Sequence, residues 1–392
     1  MMGTHSQSTT PITATNYLDK QRGESDQPVK FRCERDVLDH AFSTARRAVA
    51  GRGGTLQVLS GLYLELSGNC LTVVGSDLDL TVKVTIEVGG EQNGSVVLSA
   101  DLAAEIVRAL ESGQVEFSAD DKGASLVSGR SDFSLRVMSA DEYPKFEEPG
   151  GESVTLNAGS VADALDQVTK AASVDDSRQV LTGVLMAAEA DGLRLVATDS
   201  YRLVVRDLPG TSVLGRDQTV LVPSRALQTV GRILGDFEEL TITLGERDAA
   251  FEVGDVQVVT RLIEGEFPNY SGLIPDNHPN SLVVDRIALQ EAVRRVRILA
   301  QEATPVRLAM SSDGLELLAI TQDVGQARET IDATYVGTDL TVAFNPQFLL
   351  DGLEVSPGEE VRLETSEASR PAVLRSIGDE QFLYLLMPVR VS

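Results

Sequence analysis

The chain has 392 residues, a formal net charge of −25 and 42% hydrophobic residues, which suits two to four packed domains at roughly 100–200 residues each. Aromatic residues make up 5% and tryptophan is absent, so the cores are aliphatic. No apolar run reaches the ~18 residues of a membrane span, and two cysteines exclude a disulfide framework and fit a reducing cytoplasm.

The first 28 residues are polar, rich in Ser, Thr and Gln, lack the apolar stretch of a signal peptide and read as a disordered tail. An amphipathic helix follows in CERDVLDHAFSTARRAVAG (33–51), with apolar positions three and four apart. Strand-like segments come next, marked by VLSG (Val58–Gly61) and NCLTVVGSDLDL (Asn69–Leu80). SVVLSADLAAEIVRAL (Ser95–Leu110) reads as a strand and a second helix that opens at Ser99 and Asp101. Alternating strands then run to a proline turn, DEYPKF (Asp141–Phe146).

The same landmarks then recur in the same order. A first helix lies in NAGSVADALDQVTKAAS, VLTG (Val180–Gly183) stands 122 positions after VLSG, and DGLRLVATDSYRL (Asp191–Leu203) matches NCLTVVGSDLDL, with Asp199 at the place of Asp77. TVLVPSRALQTVGRIL (Thr219–Leu234) supplies the strand and second helix, and GEFPNY (Gly265–Tyr270) closes the copy, Pro268 lying 124 positions after Pro144. A fainter third copy holds the helix VDRIALQEAVRRVRILAQE, then DGLELLAIT (Asp313–Thr321), LTVAFNPQFLLDGL (Leu340–Leu353) and a terminal QFLYLLMPVRVS. Constant spacing of this kind predicts three units of about 120 residues, too long for a thin solenoid. Two helices against antiparallel strands make each unit α+β.

Basic residues recur on the helices: Arg46, Arg47 and Arg52 in the first unit, Lys170 and Arg178 in the second, Arg294, Arg295 and Arg297 in the third, with Arg108, Arg225 and Arg232 on or at the second helices. Cations near a helix C-terminus also complement its dipole, so one such helix means little. Repetition over three units points to a shared cationic face able to track a phosphate backbone without reading sequence. The overall charge of −25 does not oppose this, because local potential governs binding. No aromatics interleave with these arginines, so base stacking is not indicated.

Catalytic chemistry is scarce. His5, His40 and His278 have no metal-ligand spacing, and GRGG (Gly51–Gly54) follows a helix, unlike a phosphate loop. Asp77 and Asp199 stand where Asp commonly bonds local backbone amides, which outweighs an acid/base role. Cys33 and Cys70 have no partner base, so buried packing is expected for both.

TDSYRL (Thr198–Leu203), RLIEGEFPNY (Arg261–Tyr270), AFNPQFLLDGL (Ala343–Leu353) and YLLMPVR (Tyr384–Arg390) together resemble the bacterial sliding clamp family, the DNA polymerase III beta subunit, over about Phe31 to Val391. The resemblance implies three tandem clamp (processivity-fold) domains, at 29–148, 149–272 and 273–392 after a 1–28 tail, dimerising into a ring with helices inside and antiparallel sheets outside. The function implied is non-catalytic: a cytoplasmic, nucleoid-associated ring without cofactor or metal that slides on duplex DNA and tethers its partners. These partners are the replicative polymerase alpha subunit, the clamp loader and other proteins bearing the clamp-binding motif.

By the same resemblance, partner peptides dock at Leu181, Thr198, Tyr201, Arg202, Leu203, Pro268, Leu273, Leu385, Leu386, Met387, Pro388, Val389 and Arg390. Aliphatic walls with few polar orienters suit such a peptide groove. The ring interface falls on Phe133 of the first domain and on Ile298 and Leu299 of the third, Ile298 lying off that helix's apolar stripe. The family often has Arg where Gly272 lies and a compact residue at Ser200, departures that raise the reading of a second clamp copy with altered groove affinity. The main rival is a peptide-binding scaffold that does not encircle DNA.

Overall fold

The computed structural model describes residues 28–51, 56–146, 149–215, 218–235, 237–275, 277–300 and 304–390. The first repeat contains β1 (Val29–Glu34), α1 (Arg35–Ala45), β2 (Gly61–Ser67), β3 (Cys70–Ser76), β4 (Leu80–Glu87), β5 (Gly89–Gln92), β6 (Gly94–Ser99), α2 (Ala100–Ala109), β7 (Gln114–Ala119), β8 (Ala124–Ser128), β9 (Ser131–Leu135) and β10 (Val137–Met138). The second contains β11 (Ser153–Asn157), α3 (Ala158–Thr169), β12 (Gly183–Glu189), β13 (Gly192–Thr198), β14 (Arg202–Pro209), β15 (Thr219–Pro223), α4 (Ser224–Leu234), β16 (Glu239–Leu244), β17 (Asp248–Val253) and β18 (Val256–Arg261). The third contains β19 (Asn280–Asp285), α5 (Arg286–Val296), β20 (Val306–Ser311), β21 (Gly314–Thr321), β22 (Gly325–Ile331), β23 (Thr334–Val336), β24 (Leu340–Phe344), α6 (Pro346–Val355), β25 (Glu360–Thr365), β26 (Ala372–Ser376) and β27 (Asp379–Leu386).

Each repeat thus carries the expected two helices, and α3, α5 and α6 begin at a side chain that satisfies a free amide. Asp285 accepts from Ala288 N at 2.7 Å and Asn345 from Gln347 N at 2.8 Å, with Pro346 pre-set for the first turn of α6. The first helices are shorter than the sequence suggests. α1 stops at Ala45 and tightens into a 3-10 turn at Arg46–Ala48, and α5 does the same at Arg297–Leu299. The last turn narrows to pair orphan carbonyls.

The described residues form two compact units: those before Pro149 with Asp255–Val259, and those of Pro149–Gly254 with those from Thr260 onward. In the first, β5-β1-β7-β8-β9 form one sheet, and β10-β6-β2-β3-β4 run in order with Val256–Val259 beside β4. α1 packs on α2, β3 and β4. Contact is close enough that a Cβ on Gly75 would meet Ala45 O at 2.0 Å. Stacked Phe31 and Phe117, 4.8 Å apart and fully buried, anchor the aliphatic core.

In the second unit, β11, β16 and β17 pair in sequence, β22-β21-β20-β24 form a four-stranded sheet, and nine strands run β15-β12-β13-β14-β27-β26-β25-β19-β23. The central seam of that nine-stranded sheet joins the second and third repeats. β14 and β27 pair antiparallel with Leu203 opposite Leu385 and Arg202 opposite Leu386. Two repeats therefore share one compact body, because their end strands complete a single hydrogen-bonded ladder.

Candidate functional site

At the β14–β27 seam, strand alternation sends Leu203 and Val205 to one face together with Leu383 and Leu385. With Val196 and Val373 they form a buried cluster, against which Phe267, Tyr270 and Ile274 pack after the GEFPNY turn. Arg202 and Tyr384 belong to the opposite face, toward α6.

The TDSYRL turn is built by its own side chains. Asp199 accepts from Tyr201 N at 2.9 Å and Arg202 N at 3.0 Å, and Thr198 Oγ1 donates to Arg202 O at 2.7 Å. Ser200 adopts φ 79°, a left-handed conformation uncommon outside glycine. The first repeat makes the same turn: Asp77 accepts from Asp79 N and Leu80 N, and Leu78 has φ 82°. Both aspartates thus brace turns, as their positions suggested.

Arg202 ties the turn to α6. Its guanidinium donates to Asp199 at 3.0 Å and to Asp351, and lies 4.6 Å above the Phe348 ring. Tyr201 stacks on the same ring with centroids 6.1 Å apart, and Tyr384 Oη donates to Phe348 O at 2.9 Å. Burial pushes the Tyr384 phenol up from its ordinary pKa, with the Asp351 and Asp199 charges adding to the rise and Arg202 opposing it. The chain after β27 is held by backbone bonds, Met387 N to Tyr201 O at 2.9 Å and Val389 N to Ala343 O at 2.8 Å.

The residues singled out for peptide docking therefore divide by burial. Leu181, Thr198, Leu203, Leu385 and Leu386 are buried and serve as packing under the site. Tyr201 (59% exposed), Leu273 (44%), Met387 (37%) and Val389 (37%) present apolar surface, joined by exposed Pro268 and Arg390 and half-buried Pro388. Gly272 lies in the 3-10 turn Ser271–Leu273, and a Cβ there would meet nothing within 4 Å. Phe348 and Asp351 were missed in the sequence, although the AFNPQFLLDGL stretch contains both. Chemically the arrangement can hold an extended apolar segment on an aliphatic floor beside a Tyr201–Phe348 wall. Among the described residues no group of three or more His, Cys, Asp or Glu is placed for a metal.

The basic residues show mixed environments. Arg46 pairs with Asp101 at 2.7 Å, Lys170 with Glu354 at 3.3 Å, Arg294 with Glu291 at 2.7 Å and Arg295 with Glu329 at 2.5 Å. Arg108 donates to Ser43 at 3.2 Å. Arg178 lies in a 3-10 segment and donates to Asp199 O and Ser200 Oγ, so it belongs to the TDSYRL turn and not to a helix face. Arg47, Arg225, Arg232 and Arg297 are exposed, and Arg52 lies outside the described residues. Ile298 is 80% exposed, whereas Leu299 is half-buried and near Gly325 at the start of β22. Phe133 is 37% exposed on β9. The expectation for the cysteines holds for Cys33, which is buried, and fails for Cys70, which is exposed at the start of β3 beside a turn. No helix among the described residues is long and apolar enough to cross a membrane.

Known proteins were compared with the chain. Patterns of the DNA polymerase III beta subunit N-terminal, central and C-terminal domains match residues 29–147, 155–269 and 271–390. The chain is 35% identical over 381 residues to the beta sliding clamp of Streptomyces coelicolor, covering 93% of this chain and 100% of the relative. The crystal structure of the Bacillus subtilis DNA polymerase sliding clamp superposes with a TM-score of 0.86 at 28% identity, covering 93% of this chain and 100% of that one. A Bartonella birtlesii sliding clamp bound to griselimycin gives 0.87 at 28% identity with the same coverage.

Proposed function

The chain belongs to the DNA polymerase III beta subunit family and is a non-catalytic processivity factor of three tandem clamp domains, and on that premise we propose that two copies close head to tail into a ring around duplex DNA. One observation carries the ring: a strand-pairing rule that the chain itself leaves half completed. The last strand of one repeat lies beside the β4-type strand of the repeat before it, as Val256–Val259 of β18 beside β4 and as β27 beside β14. The third repeat's equivalent of β4 and β14, β22, is the edge of a four-stranded sheet, and the first repeat's counterpart of β18 and β27, β9, is the edge of a five-stranded one. Pairing β22 of one protomer with β9 of its partner makes a nine-stranded sheet with the same arrangement as the β14–β27 sheet. It also covers two edges that a lone chain leaves open to unwanted pairing. Phe133 sits on β9, and Ile298 and Leu299 sit beside β22, where exposed apolar surface awaits a partner.

Domain limits of 29–148, 149–272 and 273–392 fit this scheme. The cationic side chains Arg46, Arg47, Arg108, Lys170, Arg225, Arg232, Arg294, Arg295 and Arg297 face the duplex in it, several of them paired with carboxylates. Loose phosphate contacts of this kind allow sliding without sequence preference, and the ring works on DNA at the nucleoid. The Tyr201–Phe348–Met387 site takes the peptide motifs of the polymerase alpha subunit, the clamp loader and other partners, and it takes griselimycin, to which similar clamps are bound. Vacant space at Gly272 gives this groove a rim of its own, and a peptide titration against the Streptomyces coelicolor clamp tests that difference; equal affinities refute it.

Topological retention tests the ring itself. Protein loaded on a nicked circular plasmid by a clamp loader stays through high-salt gel filtration and leaves when the plasmid is linearised. Retention unaffected by linearisation contradicts encirclement.

A further inference from the structure

Given the ring proposed above, we propose that a cross-strand ion pair fixes the register of its seam: Arg328 on β22 of one protomer meets Asp132 of the partner subunit on β9. The register comes from the two seams within the chain, which share one frame. At β14–β27, Val205 lies opposite Leu383. Beside β4, Thr85 N donates to Asp255 O at 2.9 Å, which sets Lys83 opposite Gln257. These two pairs occupy matching places in their repeats. Val205 and Lys83 face Val196 and Val74 on the preceding strand, the sixth residues of DGLRLV and NCLTVV. Leu383 and Gln257 stand six positions before Val389 and Ile263. The amides of those two bond Ala343 O and Leu221 O, two residues before the helix caps Asn345 and Pro223.

The two edge strands carry the same marks. Arg328 faces Leu318, the sixth residue of DGLELL. Asp132 stands six positions before Met138, which lies opposite Val97, two residues before the helix cap Ser99. The shared frame therefore sets Arg328 opposite the partner subunit's Asp132, where the β14–β27 seam has Val205 and Leu383. It sets Gln326 opposite the partner subunit's Ser134, where that seam has Leu203 and Leu385. An aliphatic pair suits a seam that closes as the chain folds. β22 and β9 stay open until two copies meet, and charge protects such edges from wrong pairing while opposite signs fix the right one. Arg328, Asp132, Gln326 and Ser134 are all exposed in the single chain. Arg328 donates to Glu316 of its own sheet, and a guanidinium with five donors can serve a second carboxylate as well. Asp132 accepts from Ser125 Oγ at 3.3 Å and has acceptor capacity left.

The test is dimer dissociation of the full chain, followed by diluting fluorescently labelled protein. Asp132→Arg sets like charges against each other at both seams of the ring and raises the dissociation constant roughly 10-fold, and Arg328→Asp does the same. An equimolar mixture of the two variants recovers the affinity of the unaltered chain, because in the mixed ring each seam again has one arginine opposite one aspartate. A substitution that merely disturbed its own sheet would stay weak in the mixture, so recovery reads the pairing and not the fold. If the unaltered chain is a dimer and neither variant weakens it, or the mixture is no tighter than its components, the ion pair is overturned while the ring stands. An unaltered chain that stays monomeric overturns the ring, and the pair with it.

Discussion

Removing the Arg202 side chain tests how the site is held. Arg202, with its side chain 11% exposed, links Asp199 and Asp351, which are 12% and 17% exposed. Arg202→Ala leaves two largely buried carboxylates without their cation, and breaking such a pair costs about 3–5 kcal/mol. Remaining bonds temper the loss: Asp199 keeps the amides of Tyr201 and residue 202, and Asp351 keeps Gln347. Loss of the cation over Phe348 adds about 0.5–2 kcal/mol. The lower end, about 3 kcal/mol, is the expected net, which is on the order of 100-fold in local opening. Hydrogen exchange reads it directly, as faster exchange at the amides of Leu203 and Leu385, which face each other across the seam. Removing Asp351 as well, in Arg202→Ala with Asp351→Ala, recovers part of the loss, because removing both partners strands less charge. A change of less than about 0.5 kcal/mol, the worth of an exposed pair, would refute the view that this cluster clamps the turn to α6.

Ile298→Ala with Leu299→Ala gives monomers by sedimentation velocity, and because Ile298 is 80% exposed that substitution alone changes monomer stability by less than about 0.5 kcal/mol; an intact dimer in the double variant counts against the interface. Gly75→Ala forces a methyl against Ala45 O and costs about 3 kcal/mol, or on the order of 6–12 °C in the melting of the first unit; an unchanged melting profile contradicts the packing. Burial, and secondarily the Glu34 charge, push the Cys33 thiol up to about 11, so at pH 9 iodoacetamide labels exposed Cys70 in the folded chain and reaches Cys33 only on unfolding. Mass spectrometry showing equal labelling of both would contradict this.

Much of this was legible along the chain because a copied unit copies its local rules. The repeated Asp at Asp77 and Asp199 and the paired proline turns each act within a few residues, so a linear reading finds them. Helix starts at Asp285 and Asn345 are likewise local. The Arg202–Asp351 and Tyr201–Phe348 contacts join residues about 150 positions apart, and nothing in either segment signals the other. Burial within YLLMPVR also escaped the sequence. Leu385 and Leu386 lie on opposite faces and are both covered, whereas Met387, one step beyond the strand, is open. The basic residues were read as a single face, but Arg178 was recruited by a turn whose position in space the sequence does not give.

The ring is tested most directly by solution mass. Multi-angle light scattering at micromolar concentration should give twice the 42.0 kDa of one chain, with no larger species, since one β22–β9 pairing in each direction closes the assembly. A mass of 42.0 kDa, unchanged as concentration rises, would contradict it.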